Sequence, residues 1–176
     1  MLRHSAFCPP SCEHVVSNIR YSLATVTGAT IALIAAAKSS IDAQALVLIA
    51  PHVIVEDVSV RGIETSVRAY EADDLRTKLA VHHAHVDGMF WRWADVWRSA
   101  RFRAWTIVPL LSDISCPVLI VQGEDDRYGT LQQVELIEEH VGGLVDSLVL
   151  PNCGHAPQID HADTVLGSIV GFVRAL

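Results

Sequence analysis

Two groups of residues in the second half of the chain carry side chains that could transfer protons. The run Gly123-Glu124-Asp125-Asp126 follows the apolar stretch PVLIVQ, and Gly154-His155 follows the apolar stretch SLVL by four residues. Functional groups gather at the carboxyl ends of parallel strands, so the two groups would meet there. A carboxylate can orient an imidazole through Nδ1 and leave Nε2 free as a general base. Taken singly, each group is more often an ordinary polar loop.

The elements that would position these groups alternate between strand and helix. Short apolar runs rich in β-forming residues predict strands, and longer runs with apolar residues every three or four positions predict helices. The predicted strands are YSLATVT, ALVLIAP, PVLIVQ and SLVL, and the predicted helices include TIALIAAAKSS, LQQVELIEEHV and ADTVLGSIVGFVRAL. This alternation implies βαβ units with right-handed crossovers. We therefore expect an α/β fold with a short, mainly parallel sheet.

Two segments depart from this alternation. Residues 1–20 show neither period and contain Pro9-Pro10, so we expect them to be irregular. Residues 53–108 are more charged, helical in pattern and hold all four tryptophans. Long insertions in compact domains usually serve as lids or binding walls. The prediction is an irregular segment 1–20 followed by one domain, 21–176, with a cap insertion at about 53–108.

Composition excludes several classes of protein. The chain has 176 residues, of which 51% are hydrophobic and 19% charged, which favours a packed core over disorder. A net charge of -7 argues against binding nucleic acid. The uncharged run between Arg20 and Lys38 is too short and too polar to span a membrane, and its flanks are unlike those of a signal peptide. We expect a cytoplasmic protein with neither nucleic acid nor membrane as a partner.

From about Gly28 to Leu176 the sequence resembles the C-terminal part of the α/β-hydrolase superfamily, in its esterase-like group with a helical cap. The stretches that carry the resemblance are GATIALIAAA, ALVLIAPHV, CPVLIVQGEDDRYGT and LVLPNCGHAPQID. The resemblance implies that Asp126, in a G-x-x-D context, is the triad acid, with Asp125 as its nearest rival. It implies that His155, in a G-H-x-P context, is the base. The lineage it implies is that of serine hydrolases acting on esters or similar carbonyl compounds.

The resemblance breaks down at the nucleophile. The elbow of this family is G-x-S-x-G between a strand and a helix, whereas this chain has ATVTG with Val26 in place of the serine. Valine has no nucleophilic atom, and a β-branched residue tolerates the strained elbow backbone poorly. The early strands of the fold, with the loop that supplies one oxyanion N–H, also have no counterpart. We therefore expect a truncated fold in which Asp126 and His155 remain as acid and base without hydrolytic activity.

The genetic code permits a specific explanation for the lost elbow. Codons allowed for residues 20–28, read one nucleotide earlier after a C, can encode Pro-Leu-Phe-Val-Gly-His-Ser-Asp-Gly. That peptide is an apolar strand followed by a complete elbow. The hypothesis is a one-base shift near codon 28, with residues 1–27 read out of frame.

No cofactor and no metal site are expected. Cys8 and Cys12 lack the second cysteine pair that a zinc knuckle needs. His82 and His85 would share one face of a predicted helix, but no third ligand is evident. The four tryptophans are better explained as residues that pack the cap onto the sheet.

Three functions stay open on the sequence alone. The first is an inactive hydrolase remnant, forming a homodimer through its exposed sheet edge. The second is an active ester or carbonyl hydrolase with an unrecognised nucleophile or a complementing partner chain. The third is a module that binds a protein or a small ester or acyl ligand in the cap pocket.

Overall fold

Four parallel strands form one sheet in the order β1-β2-β3-β4. The computed structural model describes residues 21–176, so the segment predicted to be irregular, with Cys8 and Cys12, lies outside the described residues. The two central strands are buried at every position, as their unbroken apolar sequences predict. The strands are β1 (Tyr21–Thr25), β2 (Ala45–Ile49), β3 (Val118–Gly123) and β4 (Val145–Leu150).

Helices connect the strands and follow the last one. Three helices within residues 57–98 lie between β2 and β3, and we call them together the cap. Two 3₁₀ turns, Phe102–Ala104 and Val108–Asp113, complete that connection. The predicted α/β fold with a short parallel sheet and a helical cap insertion is confirmed. The helices are α1 (Thr27–Ala37), α2 (Asp57–Glu71), α3 (Asp74–Ala80), α4 (Val86–Arg98), α5 (Gln132–His140), α6 (Pro157–Asp160) and α7 (Ala162–Ala175).

The core has two layers because successive strand residues point to opposite faces of the sheet. Leu46, Leu48 and Ile120 pack on one face in a cluster with α1 and α5. Val47 and Val121 pack on the other face in a cluster with α7. A third apolar cluster lies within the cap and includes residues of α2 and α4. Each helix layer therefore covers the sheet from one side, and the cap has a small core of its own.

The start of the cap is fastened to α5 by a buried glutamine. Gln133 is fully buried, and its Oε1 accepts hydrogen bonds from the backbone N–H groups of Val53 at 2.7 Å and Ile54 at 3.2 Å. Its Nε2 donates to Oε2 of Glu56 at 2.6 Å. The same carboxylate accepts from the N–H and the hydroxyl of Thr130. This cluster fixes the entrance of the cap against the loop that follows β3.

One expectation about the cap is wrong. His82 and His85 do not share a helix face, because α3 ends at Ala80 and α4 begins at Val86. Residues 81–85 are all exposed, so no apolar contact anchors a continuous helix there. Among residues 21–176, no helix is both long enough and apolar enough to cross a membrane.

Candidate active site

The structure brings Asp126 and His155 together at the carboxyl edge of the sheet. Nδ1 of His155 lies 2.7 Å from Oδ2 of Asp126, whose side chain is completely buried. The rival acid, Asp125, is exposed, and its backbone N–H donates to the carbonyl of Cys153. Gly123 makes this approach possible, since a Cβ there would lie 2.1 Å from the carbonyl oxygen of Gly154. The two loops can therefore touch only if residue 123 has no side chain.

Hydrogen bonds keep the Asp126 carboxylate ionised. Burial alone would raise its pKa, but the bonds from His155, the Tyr128 N–H at 2.8 Å and Gln122 Nε2 at 2.9 Å hold the pKa below its ordinary value. An ionised carboxylate only accepts, so Nδ1 of His155 carries the proton in this bond. Nε2 is then left as the free, basic nitrogen, which is the tautomer that a general base needs.

Val26 occupies a strained turn between β1 and α1. Its backbone has φ 50° and ψ -118°, a region that β-branched residues rarely adopt. Its N–H donates to the carbonyl of Ile49 on the neighbouring strand at 2.8 Å. A sharp, strained strand-to-helix turn is the geometry of a nucleophile elbow. The turn thus has the form of an elbow, with an isopropyl group at its apex.

Val26 and His155 line the same cavity, which has a volume of about 180 Å³ and is mostly apolar. Trp93 and Trp97 from α4 form part of its wall, whereas Trp91 packs inside the cap. Trp105 lines an adjoining cavity of about 230 Å³. The full lining of the first cavity is Val26, His52, Ser59, Ile63, Trp93, Trp97, Tyr128 and His155. The cap therefore covers the base and the elbow.

A second histidine at this cavity was not identified from the sequence. His52 is only 3% exposed, and its Nε2 lies 3.0 Å from the carbonyl oxygen of Tyr128. A carbonyl only accepts, so Nε2 carries the proton, and Nδ1 has no hydrogen-bond partner among the described residues. Burial lowers the pKa of His52 below 6.5, so the ring is neutral. His52 follows the strand ALVLIAP directly, and the strand-end rule used for His155 would have found it.

Thr27 holds the chain position that supplies one donor of the oxyanion hole in a hydrolase elbow. In the hydrolase elbow, the residue after the nucleophile supplies a backbone N–H, and Thr27 holds that position as the first residue of α1. N–H groups in the first turn of a helix have no partner within the helix. The second donor of such a hole comes from a loop after an earlier strand. Within residues 21–176, no group of three or more potential metal ligands lies close together.

The family follows from a comparison of sequence profiles. The model of the alpha/beta hydrolase family matches residues 23–167. The chain belongs to the α/β-hydrolase family. The resemblance seen in the sequence is confirmed, although none of the curated proteins matches this chain significantly.

Solved structures show the same fold. A serine hydrolase involved in carbazole degradation (CarC enzyme) superimposes with a TM-score of 0.66 at 16% identity, over 89% of this chain and 64% of that one. E-2-(acetamidomethylene)succinate hydrolase gives 0.64 at 18% identity, over 92% and 69%. Proline iminopeptidase from Mycobacterium smegmatis gives 0.63 at 14% identity, over 94% and 68%. This chain therefore spans about two thirds of the length of these structures, and identities this low show the fold alone.

Proposed function

We propose that this chain descends from serine hydrolases, lacks hydrolytic activity as it stands, and holds a small ester or acyl ligand in the cavity beneath the cap. The observation that carries the proposal is the side chain of Val26. It stands at the apex of the elbow turn and lines the same cavity as His155. A nucleophile must lie within hydrogen-bond reach of its base. The position that meets this requirement in the family's elbow holds an isopropyl group.

The cavity can still hold a ligand. The backbone N–H of Thr27, at the position of the oxyanion donor, can donate to the carbonyl oxygen of an ester or acyl group. The aromatic walls of the cavity favour apolar substituents. No step of the family reaction follows, because covalent catalysis begins with attack by the missing oxygen. Asp126 and His155 are thus a residual acid and base, and the cavity is a binding site.

A second candidate function is an active hydrolase that uses a different nucleophile. The observation in its favour is Ser59 on α2, which lines the same cavity as His155 and is 1% exposed. Its hydroxyl accepts a long hydrogen bond of 3.4 Å from the N–H of Glu56. Ser59 lies inside a helix, where the backbone N–H of the next residue, Val60, is already donated to the carbonyl of Glu56 at 3.3 Å and so does not serve as an oxyanion donor.

Labelling with a serine-directed fluorophosphonate, together with a chromogenic short-chain ester, separates these two functions. The proposal predicts that the unmodified chain labels no more than its His155→Ala variant and releases no chromophore. Labelling that disappears in both His155→Ala and Ser59→Ala would establish Ser59 as the nucleophile and overturn the proposal. Tryptophan fluorescence of each variant serves as the control for folding.

We further propose that two copies associate through β1. Among residues 21–176 this strand pairs with β2 alone, and its Leu23 side chain is 60% exposed. An open edge with apolar side chains is a template for pairing with another strand. A size measurement in solution is expected to give a dimer, and a clean monomer over a range of concentrations would contradict edge pairing.

The proposed location is the cytoplasm. The two cysteines in the described part of the chain, Cys116 and Cys153, are free thiols, as in proteins of reducing compartments. Cell fractionation is expected to recover the chain with cytoplasmic markers, and recovery in a secreted fraction would contradict this placement.

A further inference from the structure

Two apolar cavities meet at the side chain of Tyr128. One is the cavity of about 180 Å³ at His155, and the other is a cavity of about 380 Å³ inside the cap. Tyr128 and Trp93 line both. Small-molecule sites usually measure about 300–1,000 Å³. The volume of the cavity at His155 alone is below that range, whereas the combined volume of the two cavities lies within it.

The backbone of Tyr128 is fixed at the candidate site. Its N–H donates to Oδ1 of Asp126 at 2.8 Å, and its carbonyl accepts from Nε2 of His52 at 3.0 Å. Its ring packs against the imidazole of His155, with 4.7 Å between centroids. The position of the ring therefore bears directly on the space beside the base.

The side chain of Tyr128 is joined to the cap by one hydrogen bond. Its hydroxyl lies 2.8 Å from Oγ of Ser66, whose own proton is donated to the carbonyl of Gly62 at 3.2 Å. Tyr128 is therefore the donor to Ser66. The ring reaches this place because Gly62 has no side chain, since a Cβ there would lie 2.8 Å from Cδ1 of Tyr128. If the ring rotates and opens a passage between the two cavities, the hydrogen bond that breaks is the one between Tyr128 and Ser66.

The larger cavity is lined by apolar side chains and the hydroxyl groups of Ser66 and Tyr128. Its outer wall is α3, a helix with no fully buried residue. No charged side chain lines this cavity, so the ligand group that fits it is a hydrocarbon chain. The lining is Ser66, Leu75, Leu79, Met89, Phe90, Trp93 and Tyr128.

We propose that Tyr128 is the partition that sets the length of the ligand. An ester with an unbranched acyl chain of medium length places its carbonyl beside His155 and passes its chain beyond the displaced Tyr128 ring into the cavity of the cap. This rests on the proposed function, in which the cavity holds an ester or acyl ligand. A short ester occupies only the cavity at His155 and leaves the Tyr128–Ser66 bond intact.

The test measures the affinity for ethyl esters from acetate to decanoate through the tryptophan fluorescence of the chain, to which Trp93 and Trp97 in the cavity wall contribute. In the unmodified chain, affinity is expected to rise about fourfold for each methylene that enters the cap cavity. Tyr128→Phe removes the hydrogen bond that holds the partition, so the ratio of the affinity for ethyl octanoate to that for ethyl acetate is expected to rise about fivefold. Tyr70→Phe is the matched control, because Tyr70 also loses one hydrogen bond but lines neither cavity.

A second variant fills the larger cavity and leaves the partition alone. Leu79→Trp is expected to retain affinity for ethyl acetate and to lose the gain from longer chains. The partition is refuted if affinity stops rising at ethyl butyrate in both the unmodified chain and Tyr128→Phe, or if Leu79→Trp leaves the length profile unchanged. Release of ethanol would contradict only the lack of hydrolytic activity. Failure to bind any ester, short ones included, would contradict the proposed function and the partition with it.

Discussion

Replacing Gln133 with leucine should separate the cap entrance from the sheet domain. Leucine has a similar volume but cannot hydrogen-bond, so the backbone N–H of Val53, which is buried, loses its partner at 2.7 Å. An unpaired buried donor costs about 1–3 kcal/mol, and the lost hydrogen bond to the Glu56 carboxylate adds about 1.5–3 kcal/mol. Together these two costs put the expected loss in the free energy of unfolding near the middle of their summed range, at about 3–5 kcal/mol.

Urea denaturation at neutral pH measures this loss, and the neighbouring Gln132→Leu is the control. Gln132 is exposed, so its replacement should change stability by less than about 0.5 kcal/mol. For a domain of this size, the Gln133→Leu loss corresponds to a melting temperature lower by about 6–20 °C. If Gln133→Leu is no less stable than Gln132→Leu, the buried amide does not hold the cap, and the reasoning is refuted.

Three other predictions concern the site and its origin. The lowered pKa of His52 means that the unfolded chain takes up a proton near 6.5 before the folded chain does. The free energy of unfolding should therefore fall as the pH is lowered from about 7 to 5, and His52→Gln should flatten this slope; equal slopes in urea titrations would contradict it. Gly62→Ala should destabilise the chain by about 1–3 kcal/mol, because its Cβ would lie 2.7 Å from the carbonyl oxygen of Arg127. Gly88→Ala, which has nothing within 4 Å of its added Cβ, should gain about 0.5–1 kcal/mol. Thermal melts compare the two variants, and equal effects would refute the close approach at Gly62. Sequencing the gene should show codons that yield Gly-X-Ser-X-Gly in the shifted frame around codons 20–28, and codons that cannot do so exclude the frameshift.

The strands and the pairing of Asp126 with His155 could be predicted because their signals are local. Unbroken apolar runs such as ALVLI indicate strands buried on both faces, and parallel strands bring their carboxyl ends to one edge. The contact between Gly123 and Gly154 also has a sequence signal, because residue 123 must be a glycine for the two loops to touch. The order of the strands then places the two loops side by side.

Other features of the site depend on contacts between distant parts of the chain. Gln133 meets Val53 across 80 residues, and nothing in either local sequence distinguishes that glutamine from its exposed neighbour Gln132. The role of Tyr128 likewise depends on Ser66, 62 residues away. The spacing of His82 and His85 fits a helical period. Spacing cannot show, however, that residues 81–85 have no buried apolar side chain to hold a helix there.

The central claim is that this chain retains the acid, the base and the elbow turn of a hydrolase. What the elbow lacks is the nucleophilic oxygen at position 26. The direct measurement is fluorophosphonate labelling of Val26→Ser, with Val26→Ala as the matched control. We expect Val26→Ser to label, and its labelling to vanish when His155→Ala is added. A folded Val26→Ser that labels no faster than Val26→Ala would contradict the claim.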